Sequence, residues 1–313
     1  MIKGWVEQNG RVLSAAEAEA LAPDELCACG GEFYAPDLGI RDKYGIFPAP
    51  ECRRAEPHFA PLALADAIQK AVSLRVSPDG VVTLSGGVDS SLVAALAGLP
   101  AICVGTDTSS DVREAEIFAD EAGLQLFVHT ITKDEVEAAL PAVFAAIPSK
   151  DAVSLEIALS GYFIARLAQS RGASRILTGQ AADELFAGYA RYGRSADLRA
   201  DLDADFRLLE GQRARDGAVA GLFGVWYSLP FMDERVVSLA RALSPEALVS
   251  GDLRKIALRR AAEEFLPADI AWRPKKAMQY GSGVSKLLAK IAKEQGVRGT
   301  PGLIELLKSS GGE

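Results

Sequence analysis

The chain has 313 residues, with 34 lysines and arginines against 42 aspartates and glutamates, which gives a formal net charge of −8. Proteins that hold nucleic acid bind its phosphates with clustered lysines and arginines, so this acidic balance argues against nucleic acid as a partner. The 49% of hydrophobic residues is typical of a globular protein. No apolar run reaches the ~18 residues that a membrane span needs, and the first residues lack the apolar stretch of a signal peptide. We therefore expect no membrane partner and a cytoplasmic location.

The predicted elements change character near residue 60. Residues 1–60 contain closely spaced glycines and prolines, which predict a small β-rich segment of short strands and loops. From residue 61, helical spacing alternates with β-branched runs, a pattern that predicts an α/β fold with a parallel sheet, and the part after about residue 195 is typical of helices. The middle region is predicted to contain, in chain order, a helix over 62–76, a strand over 80–84, a helix over 89–97, a strand over 101–104, a helix over 111–122, a strand over 124–130, a helix over 155–169 and a strand over 175–177.

The four cysteines are too few and too loosely spaced for a disulfide framework. Cys103 lies in an apolar stretch and is predicted to be a buried small hydrophobe. Cys27, Cys29, Cys52 and His58 form a set that could bind zinc. Because zinc sites more usually separate their paired cysteines by about two to four residues, zinc binding and reduced thiols both stay open.

The segment that follows the strand over 80–84 has the features of a phosphate loop. Gly86 and Gly87 let the backbone approach a ligand closely, and the free N–H groups at the start of the next helix attract anions. Ser85, Ser90 and Ser91 add hydroxyl donors. The pattern therefore predicts binding of a phosphate or a pyrophosphate.

Asp89 introduces a negative charge into this loop, which lacks the lysine of a Walker A motif. A carboxylate among phosphate-binding donors makes electrostatic sense if a divalent cation lies between them. Mg²⁺, which binds proteins through few ligands, is the natural candidate. The alternative, an ordinary acid at the start of a helix, stays open.

Two segments carry a resemblance to a known family. Residues 85–91, Ser-Gly-Gly-Val-Asp-Ser-Ser, resemble the PP-loop of the N-type ATP pyrophosphatases, which cleave ATP between the α- and β-phosphates. Residues 178–189, Thr-Gly-Gln-Ala-Ala-Asp-Glu-Leu-Phe-Ala-Gly-Tyr, are similar to the asparagine synthetase signature S-G-E-G-A-D-E-L-F-G-G-Y. The resemblance implies a doubly wound, mostly parallel α/β sheet of the adenine nucleotide alpha hydrolase type.

The resemblance also implies roles for residues of both segments. Asp183 would join Asp89 in holding Mg²⁺ on the pyrophosphate of ATP, and Val104, Thr178 and Gly179 would border the adenine and the ribose. From the residues alone, Thr178 and Gly179 end a strand, and ligands gather at the carboxyl ends of strands in open α/β sheets. The alternative, that Asp183 is only a solvated acid at the start of a helix, stays open.

Two later stretches extend the match to about 60–290. Residues 224–233 resemble the family pattern G-V-E-x-R-x-P-F-L-D, and residues 272–277, Trp-Arg-Pro-Lys-Lys-Ala, resemble its W/R-x-K segment. By analogy Lys275 reaches the α-phosphate and the carbonyl oxygen and stabilises charge in the transition state. Two alternatives stay open: Lys276 takes that role, or the two lysines are an exposed pair with no role.

The N-terminal part departs from the family. The glutaminase domain of the family begins with a cysteine directly after the initiator methionine, whereas Ile2 follows Met1 here. Residues 31–33 and 41–48 nevertheless resemble the last strands of such a domain. We interpret residues 1–60 as a degenerate remnant of a glutaminase domain, residues 61–300 as the asparagine synthetase-like ATP pyrophosphatase domain, and residues 301–313 as a C-terminal tail.

Three substitutions fall in the predicted site. Gln180 stands where the signature has glutamate, and a neutral amide cannot accept a proton as a general base. Either Glu184 or water relays the proton, or the nucleophile is not ammonia, or the protein binds ATP with little chemistry. Trp226 and Ser228 replace the glutamate and arginine of the family pattern, and arginine is the residue suited to a bidentate carboxylate clamp.

The leading hypothesis is an AMP-forming ligase of the asparagine synthetase type. It would use ATP and Mg²⁺ to join a carboxylate, aspartate by default, to ammonia or another amine, with Lys275, Gln180 and Glu184 as catalytic residues. A separate glutaminase subunit and a homodimer are the protein partners that this hypothesis leaves open. The alternatives are a catalytically weak nucleotide-binding or scaffold protein and, less favoured, sulfur transfer to tRNA.

Overall fold

The computed structural model describes residues 1–49, 51–273 and 282–310. The chain divides into two compact units, each made of three segments. The predicted division at residues 60 and 300 stays a prediction. The first unit comprises Met1–Val76, Leu177–Arg213 and Ser228–Trp272, and the second comprises Ser77–Ile176, Ala214–Tyr227 and Arg273–Glu313.

The described part of the chain contains β-strands, α-helices and short 3₁₀ helices. The strands are β1 (Lys3–Gln8), β2 (Arg11–Val12), β3 (Gly30–Ala35), β4 (Ile40–Arg41), β5 (Arg53–Arg54), β6 (Gly80–Thr83), β7 (Ala101–Gly105), β8 (Leu126–Thr130), β9 (Arg175–Leu177), β10 (Trp226–Ser228), β11 (Val249–Ser250) and β12 (Leu253–Arg254). The helices are α1 (Ala15–Glu19), α2 (Pro23–Cys27), α3 (Leu64–Ser73), α4 (Val88–Ala97), α5 (Ser110–Ala122), α6 (Lys133–Ala146), α7 (Ala152–Ser170), α8 (Ala182–Leu185), α9 (Leu198–Gly221), α10 (Glu234–Ala242), α11 (Pro245–Leu248), α12 (Ile256–Ala262), α13 (Ala268–Ala271), α14 (Val284–Glu294) and α15 (Gly299–Ser310). Short 3₁₀ helices lie at Pro36–Leu38, Ala190–Arg194 and Pro230–Met232.

The N-terminal sheet belongs to the first unit and has the strand order β2-β1-β3-β4-β5. Its pairs are antiparallel except for β4 and β5, which are parallel. Leu26, Phe33 and Ile40 are buried in the core of this segment, so the sheet has a hydrophobic interior of its own. The predicted short strands of residues 1–60 are confirmed, whereas α1 and α2 were not predicted.

The second sheet has the strand order β10-β9-β6-β7-β8. β6, β7 and β8 are parallel neighbours, and every residue of β7 is buried, as expected of a central strand with both faces covered. Cys103 in β7 is buried as predicted, and this burial raises the pKa of its thiol to about 12. The α/β class with a parallel sheet is therefore confirmed.

Local capping explains where several helices of the second unit begin. Ser109 accepts a hydrogen bond from the backbone N–H of Val112 at the start of α5, and Asp151 caps α7 in the same way. Thr132 and Glu135 form a reciprocal capping box at the start of α6, a helix that was not predicted. No helix in the described part of the chain combines the length and the apolar composition needed to cross a membrane.

The predicted elements of the middle region all have counterparts in the structure, with shifted ends. The helical character after residue 195 is confirmed by α9–α15. Helix α15 covers residues 299–310 and thus most of the segment interpreted as a C-terminal tail. The segment is therefore helical throughout its described residues, 301–310.

Candidate functional site

The predicted phosphate loop joins β6 to α4 in the second unit. Gly86 has a φ of +72°, in the left-handed region that favours glycine. A Cβ atom here would lie 2.4 Å from the Cβ of Glu114, so α5 also requires a glycine at this point. Gly87 is the N-cap residue of α4 and has no side chain to cap the helix. Because the first N–H groups of a helix have no intrahelical partners, the start of α4 is suited to an anion.

Hydroxyl groups brace the loop from inside. Ser90 Oγ accepts a hydrogen bond from the Ser85 N–H at 3.2 Å, lies 3.1 Å from Ser85 Oγ, and donates to the Gly87 carbonyl oxygen at 3.1 Å. Ser91 is fully buried, and its Oγ has no hydrogen-bond partner among the described residues. Two of the three predicted hydroxyl donors therefore stabilise the turn itself, and their role toward a phosphate stays a prediction.

Asp89 and Val104 lie in the same unit as the loop. Asp89 is half-buried in the first turn of α4, and Val104 is buried in β7. A carboxylate in the first turn of a helix interacts favourably with the helix dipole, so Asp89 also has a local structural reason to be there. The metal role of Asp89 and the nucleotide contact of Val104 stay predictions.

Arg273 makes contacts with the loop that the sequence did not indicate. Its Nη1 atom lies 2.9 Å from Glu114 Oε2 and 3.3 Å from the carbonyl oxygen of Gly86. Both contacts lie within the second unit. The predicted catalytic Lys275 and its alternative Lys276 lie outside the described residues.

The signature-like segment, residues 178–189, comes directly after β9 and belongs to the first unit. The Thr178 N–H donates to the Ser228 carbonyl oxygen at 3.2 Å, and the Gln180 N–H lies 3.3 Å from Thr178 Oγ1. Thr178, Gly179 and Gln180 are all half-buried. Ala181 then has a φ of +74° and precedes α8, which carries the predicted acids. The nucleotide contacts of Thr178 and Gly179 and the catalytic role of Gln180 stay predictions.

Asp183 is paired with a buried lysine that sequence reasoning missed. Lys255 Nζ lies 2.6 Å from Asp183 Oδ1, and the lysine side chain is 1% exposed. A Cβ atom on Gly188 would lie 1.8 Å from the same oxygen, so glycine makes room for the pair. Burying an ammonium group is costly unless it is paired, and Asp183 supplies the compensating charge.

Glu184, the predicted proton relay, is buried in α8 and already accepts hydrogen bonds. The Tyr189 hydroxyl donates to Glu184 Oε1 at 2.6 Å, and Gln212 Nε2 lies 3.4 Å from the same oxygen. Burial, together with the nearby charge of Glu184, raises the pKa of Tyr189, so the hydroxyl keeps its proton and remains a donor. These contacts give Glu184 a structural role, and its role in catalysis stays a prediction.

The positions that depart from the family pattern have partners of their own. Ser228 is fully buried and donates a hydrogen bond to the carboxylate of Glu32, which also accepts from Arg75 Nε at 2.8 Å. Trp226 packs with its ring under the guanidinium group of Arg175, 4.9 Å from ring centroid to Cζ. Ser228 is therefore committed to an internal network.

No group of three or more histidines, cysteines, aspartates and glutamates in the described part of the chain is arranged to hold a metal ion. Cys27 and Cys29 are buried in the first unit, and burial raises the pKa of each thiol. A Mg²⁺ ion held by one or two carboxylates and by substrate phosphates needs no such group of three.

Comparison with known proteins identifies the family. The family model described as asparagine synthase matches residues 63–223 and 202–300, and the chain belongs to this family. A protein of Methanocaldococcus jannaschii named putative asparagine synthetase [glutamine-hydrolyzing] 1 is 34% identical over 68% of this chain and 47% of its own length. The carboxyethyl-arginine beta-lactam-synthase of Streptomyces clavuligerus is 33% identical over 75% of this chain and 47% of its own. The chain thus spans about half the length of these relatives.

A solved structure shows a more distant likeness. The NMN synthetase of Francisella tularensis is 17% identical, with a TM-score of 0.40, and the match covers 79% of this chain and 87% of that one.

Proposed function

We propose that the chain is an ATP-dependent, AMP-forming ligase that activates a carboxylate and transfers it to ammonia or another amine. The observation that carries the proposal is the strand–loop–helix geometry of Ser85 to Ser91 in a member of the asparagine synthase family. The left-handed Gly86 and the glycine N-cap Gly87 leave backbone N–H groups at the start of α4. Such groups stabilise the negative charge that a departing pyrophosphate develops.

In the proposed reaction, different residues of the chain bind the phosphates, border the nucleoside and stabilise charge. The loop binds the β- and γ-phosphates, so that the carboxylate substrate attacks the α-phosphate and pyrophosphate leaves. Val104, Thr178 and Gly179 border the adenine and ribose, and Lys275 stabilises charge on the α-phosphate. An amine then attacks the acyl-adenylate and releases AMP. Groups that stabilise negative charge are needed both at the α-phosphate and at the β- and γ-phosphates, because the pyrophosphate leaving group carries several negative charges.

The donor chemistry of the loop fits a magnesium ion. Carboxylate oxygens are ligands that Mg²⁺ prefers, and Asp89 presents a carboxylate in the first turn of the helix that would receive phosphates. Asp183 is the second proposed Mg²⁺ ligand, and in the structure its carboxylate forms an ion pair with Lys255. Bound Mg²⁺ would neutralise phosphate charge and orient the leaving pyrophosphate.

The substitutions bear on which carboxylate and which amine the chain uses. Ser228 stands where the family has arginine, and its hydroxyl is bound to Glu32. A buried serine with an internal partner cannot form the bidentate clamp that an arginine offers to a carboxylate. Gln180 likewise removes the acid of the signature. Aspartate with ammonia remains the default pair, and ring closure within one substrate is the alternative suggested by the name of the S. clavuligerus relative.

The experiment is a product assay with a panel of carboxylates. Purified protein is incubated with ATP, Mg²⁺ and ammonium, first with aspartate and then with other carboxylates, and AMP, ADP and pyrophosphate are measured. Asp89→Ala removes the proposed metal ligand, and Asp120→Ala removes an exposed acid of α5 as the matched control. The proposal expects AMP and pyrophosphate in equal amounts with at least one carboxylate, lost in Asp89→Ala and kept in Asp120→Ala.

Two other results would contradict the ligase. ADP and inorganic phosphate as the products would exclude the AMP-forming chemistry. Binding of ATP without AMP formation for any carboxylate would favour the nucleotide-binding alternative. The same assay with glutamine in place of ammonium tests the source of ammonia: a reaction that ammonium supports and glutamine does not would support a separate glutaminase.

A further inference from the structure

Arg273 connects three parts of the second unit at one point. Its Nη1 atom contacts the carbonyl oxygen of Gly86 in the phosphate loop and the carboxylate of Glu114 in α5. Gly86 in turn packs directly against Glu114, because a Cβ atom there would lie 2.4 Å from the Glu114 Cβ and 2.8 Å from its carbonyl oxygen. The guanidinium group therefore rests where the loop and the helix touch.

The contact with Gly86 bears on the orientation of the next N–H group. The carbonyl of Gly86 and the N–H of Gly87 belong to one planar trans peptide group and point to opposite sides of the chain. A donor that holds the carbonyl oxygen on one side therefore directs the N–H toward the other. Gly87 is the N-cap residue of α4, where the backbone offers donors to an anion.

The charge of Arg273 is balanced locally. Glu114 Oε2 lies 2.9 Å from the nitrogen that contacts the loop, and the two side chains are 33% and 19% exposed for Glu114 and Arg273, respectively. An ion pair adds little net positive potential at a distance. The contribution of Arg273 to anion binding would therefore come mainly from holding the peptide group in place.

We propose that Arg273 is a positioning residue: it fixes the Gly86–Gly87 peptide so that the Gly87 N–H faces the phosphates, and Glu114 holds Arg273 in place. The inference rests on the proposed function, because it assigns a pyrophosphate-binding role to the loop. It concerns the pyrophosphate part of the nucleotide and not the AMP part.

The test measures binding of two probes by calorimetry. Inorganic pyrophosphate with Mg²⁺ reports on the loop, and AMP reports on the rest of the nucleotide. Arg273→Ala removes the donor, while Glu114→Ala keeps the Cβ that packs on Gly86 and removes only the carboxylate. Arg166→Ala is the matched control, since Arg166 also pairs with a glutamate of the second unit, Glu135.

We expect Arg273→Ala to weaken pyrophosphate binding about tenfold or more, the cost of misplacing one donor to a charged group. Glu114→Ala should also weaken pyrophosphate binding. In both variants AMP binding should change by less than about twofold, and Arg166→Ala should leave the binding of both probes unchanged. Thermal unfolding confirms that each variant is folded, and Glu114→Ala decides the matter if Arg273→Ala does not fold.

Two results separate the failure of the inference from that of the proposed function. Unchanged pyrophosphate binding in both variants, or equal weakening of pyrophosphate and AMP, overturns the positioning role while the ligase proposal stands. A wild-type protein that binds neither probe and forms no AMP from ATP overturns the proposed function, and the positioning role with it.

Discussion

Lys255 and Asp183 form an ion pair with 2.6 Å between Nζ and Oδ1, although the lysine side chain is almost completely buried and the aspartate is 19% exposed. Removal of one partner from such a pair leaves an uncompensated buried charge, which costs more than the pair itself contributes. The asymmetry in burial predicts that the two partners differ in the effect of their loss.

Asp183→Asn is expected to lower the free energy of unfolding by about 3 kcal/mol, because it leaves the Lys255 ammonium buried without a counter-charge. Lys255→Met is expected to cost less, since the remaining carboxylate keeps some contact with water. Urea unfolding at neutral pH measures both. Asp203→Asn removes an acid from the more exposed pair with Arg241 and should change stability by less than about 1 kcal/mol. Equal stability of Asp183→Asn and the wild type would contradict the prediction.

The signature segment contains two alanines in left-handed conformation. Ala181 has a φ of +74° and Ala187 a φ of +56°, and both stand where the family signature has glycine. The left-handed conformation costs an L-residue roughly 1–2 kcal/mol, whereas glycine adopts it freely and loses somewhat more backbone entropy on folding. Both methyl groups are buried, so the loss of a methyl and the backbone entropy of glycine together offset the relief of strain. Ala181→Gly and Ala187→Gly are therefore each expected to change the free energy of unfolding by less than about 0.5 kcal/mol.

The control for these variants lies in the adjoining helix. Ala182 begins α8 and is equally buried, but its backbone is not left-handed, so Ala182→Gly relieves no strain and should be destabilising by about 1 kcal/mol or more. Chemical denaturation compares all three variants with the wild type. A loss of stability in Ala181→Gly and Ala187→Gly as large as in Ala182→Gly would contradict the prediction, because it would mean that no left-handed strain is relieved at these two positions.

The sequence could indicate the phosphate loop because all its signals are local. Small residues between a β-branched run and a helix are visible within the segment 81–92, and the structure has β6, Gly86, Gly87 and α4 in that order. The capping box of Thr132 and Glu135 is also local, so α6 could have been predicted from it.

Contacts between residues distant in the chain could not be predicted in the same way. Lys255 is one basic residue among several in its segment, and only the fold brings it to Asp183. The bond between Ser228 and Glu32 likewise joins β10 to the N-terminal strand β3. Periodicity reports which face of an element is buried, but it carries no information on which distant polar group meets which.

Asp42 provides a test of stability against pH. Its carboxylate is buried and accepts hydrogen bonds from the N–H groups of Tyr44, Gly45 and Ile46. Burial is the largest influence and raises the pKa of Asp42 from 3.8 to about 6, although the Ile46 and Gly45 N–H groups and Arg213 act in the opposite direction. The folded state therefore holds a proton that the unfolded state releases between pH 4 and 6.

A folded-state pKa above the unfolded value means that stability is lost as the pH rises through this window. Asp42→Asn keeps an uncharged acceptor at every pH. The quantity to follow is the free energy of unfolding of the wild type minus that of Asp42→Asn. We expect this difference to fall between pH 4 and pH 7, by at most about 3 kcal/mol, which is the limit for a pKa shift of this size. Urea unfolding across this range measures the difference. A difference that rises with pH would have the wrong sign.

Gln180→Glu restores the acid of the family signature and tests whether its absence limits the proposed reaction. A carboxylate can accept the proton that the attacking amine must lose, whereas the amide of Gln180 cannot. If the ligase reaction operates, the variant should form amide from ammonium at least about tenfold faster, with a rate that declines at low pH as the new carboxylate is protonated. Gln125→Glu places the same change at an exposed position and should leave the rate unchanged. An unaltered rate in Gln180→Glu, with AMP still formed, would mean that proton removal at this position does not limit the reaction.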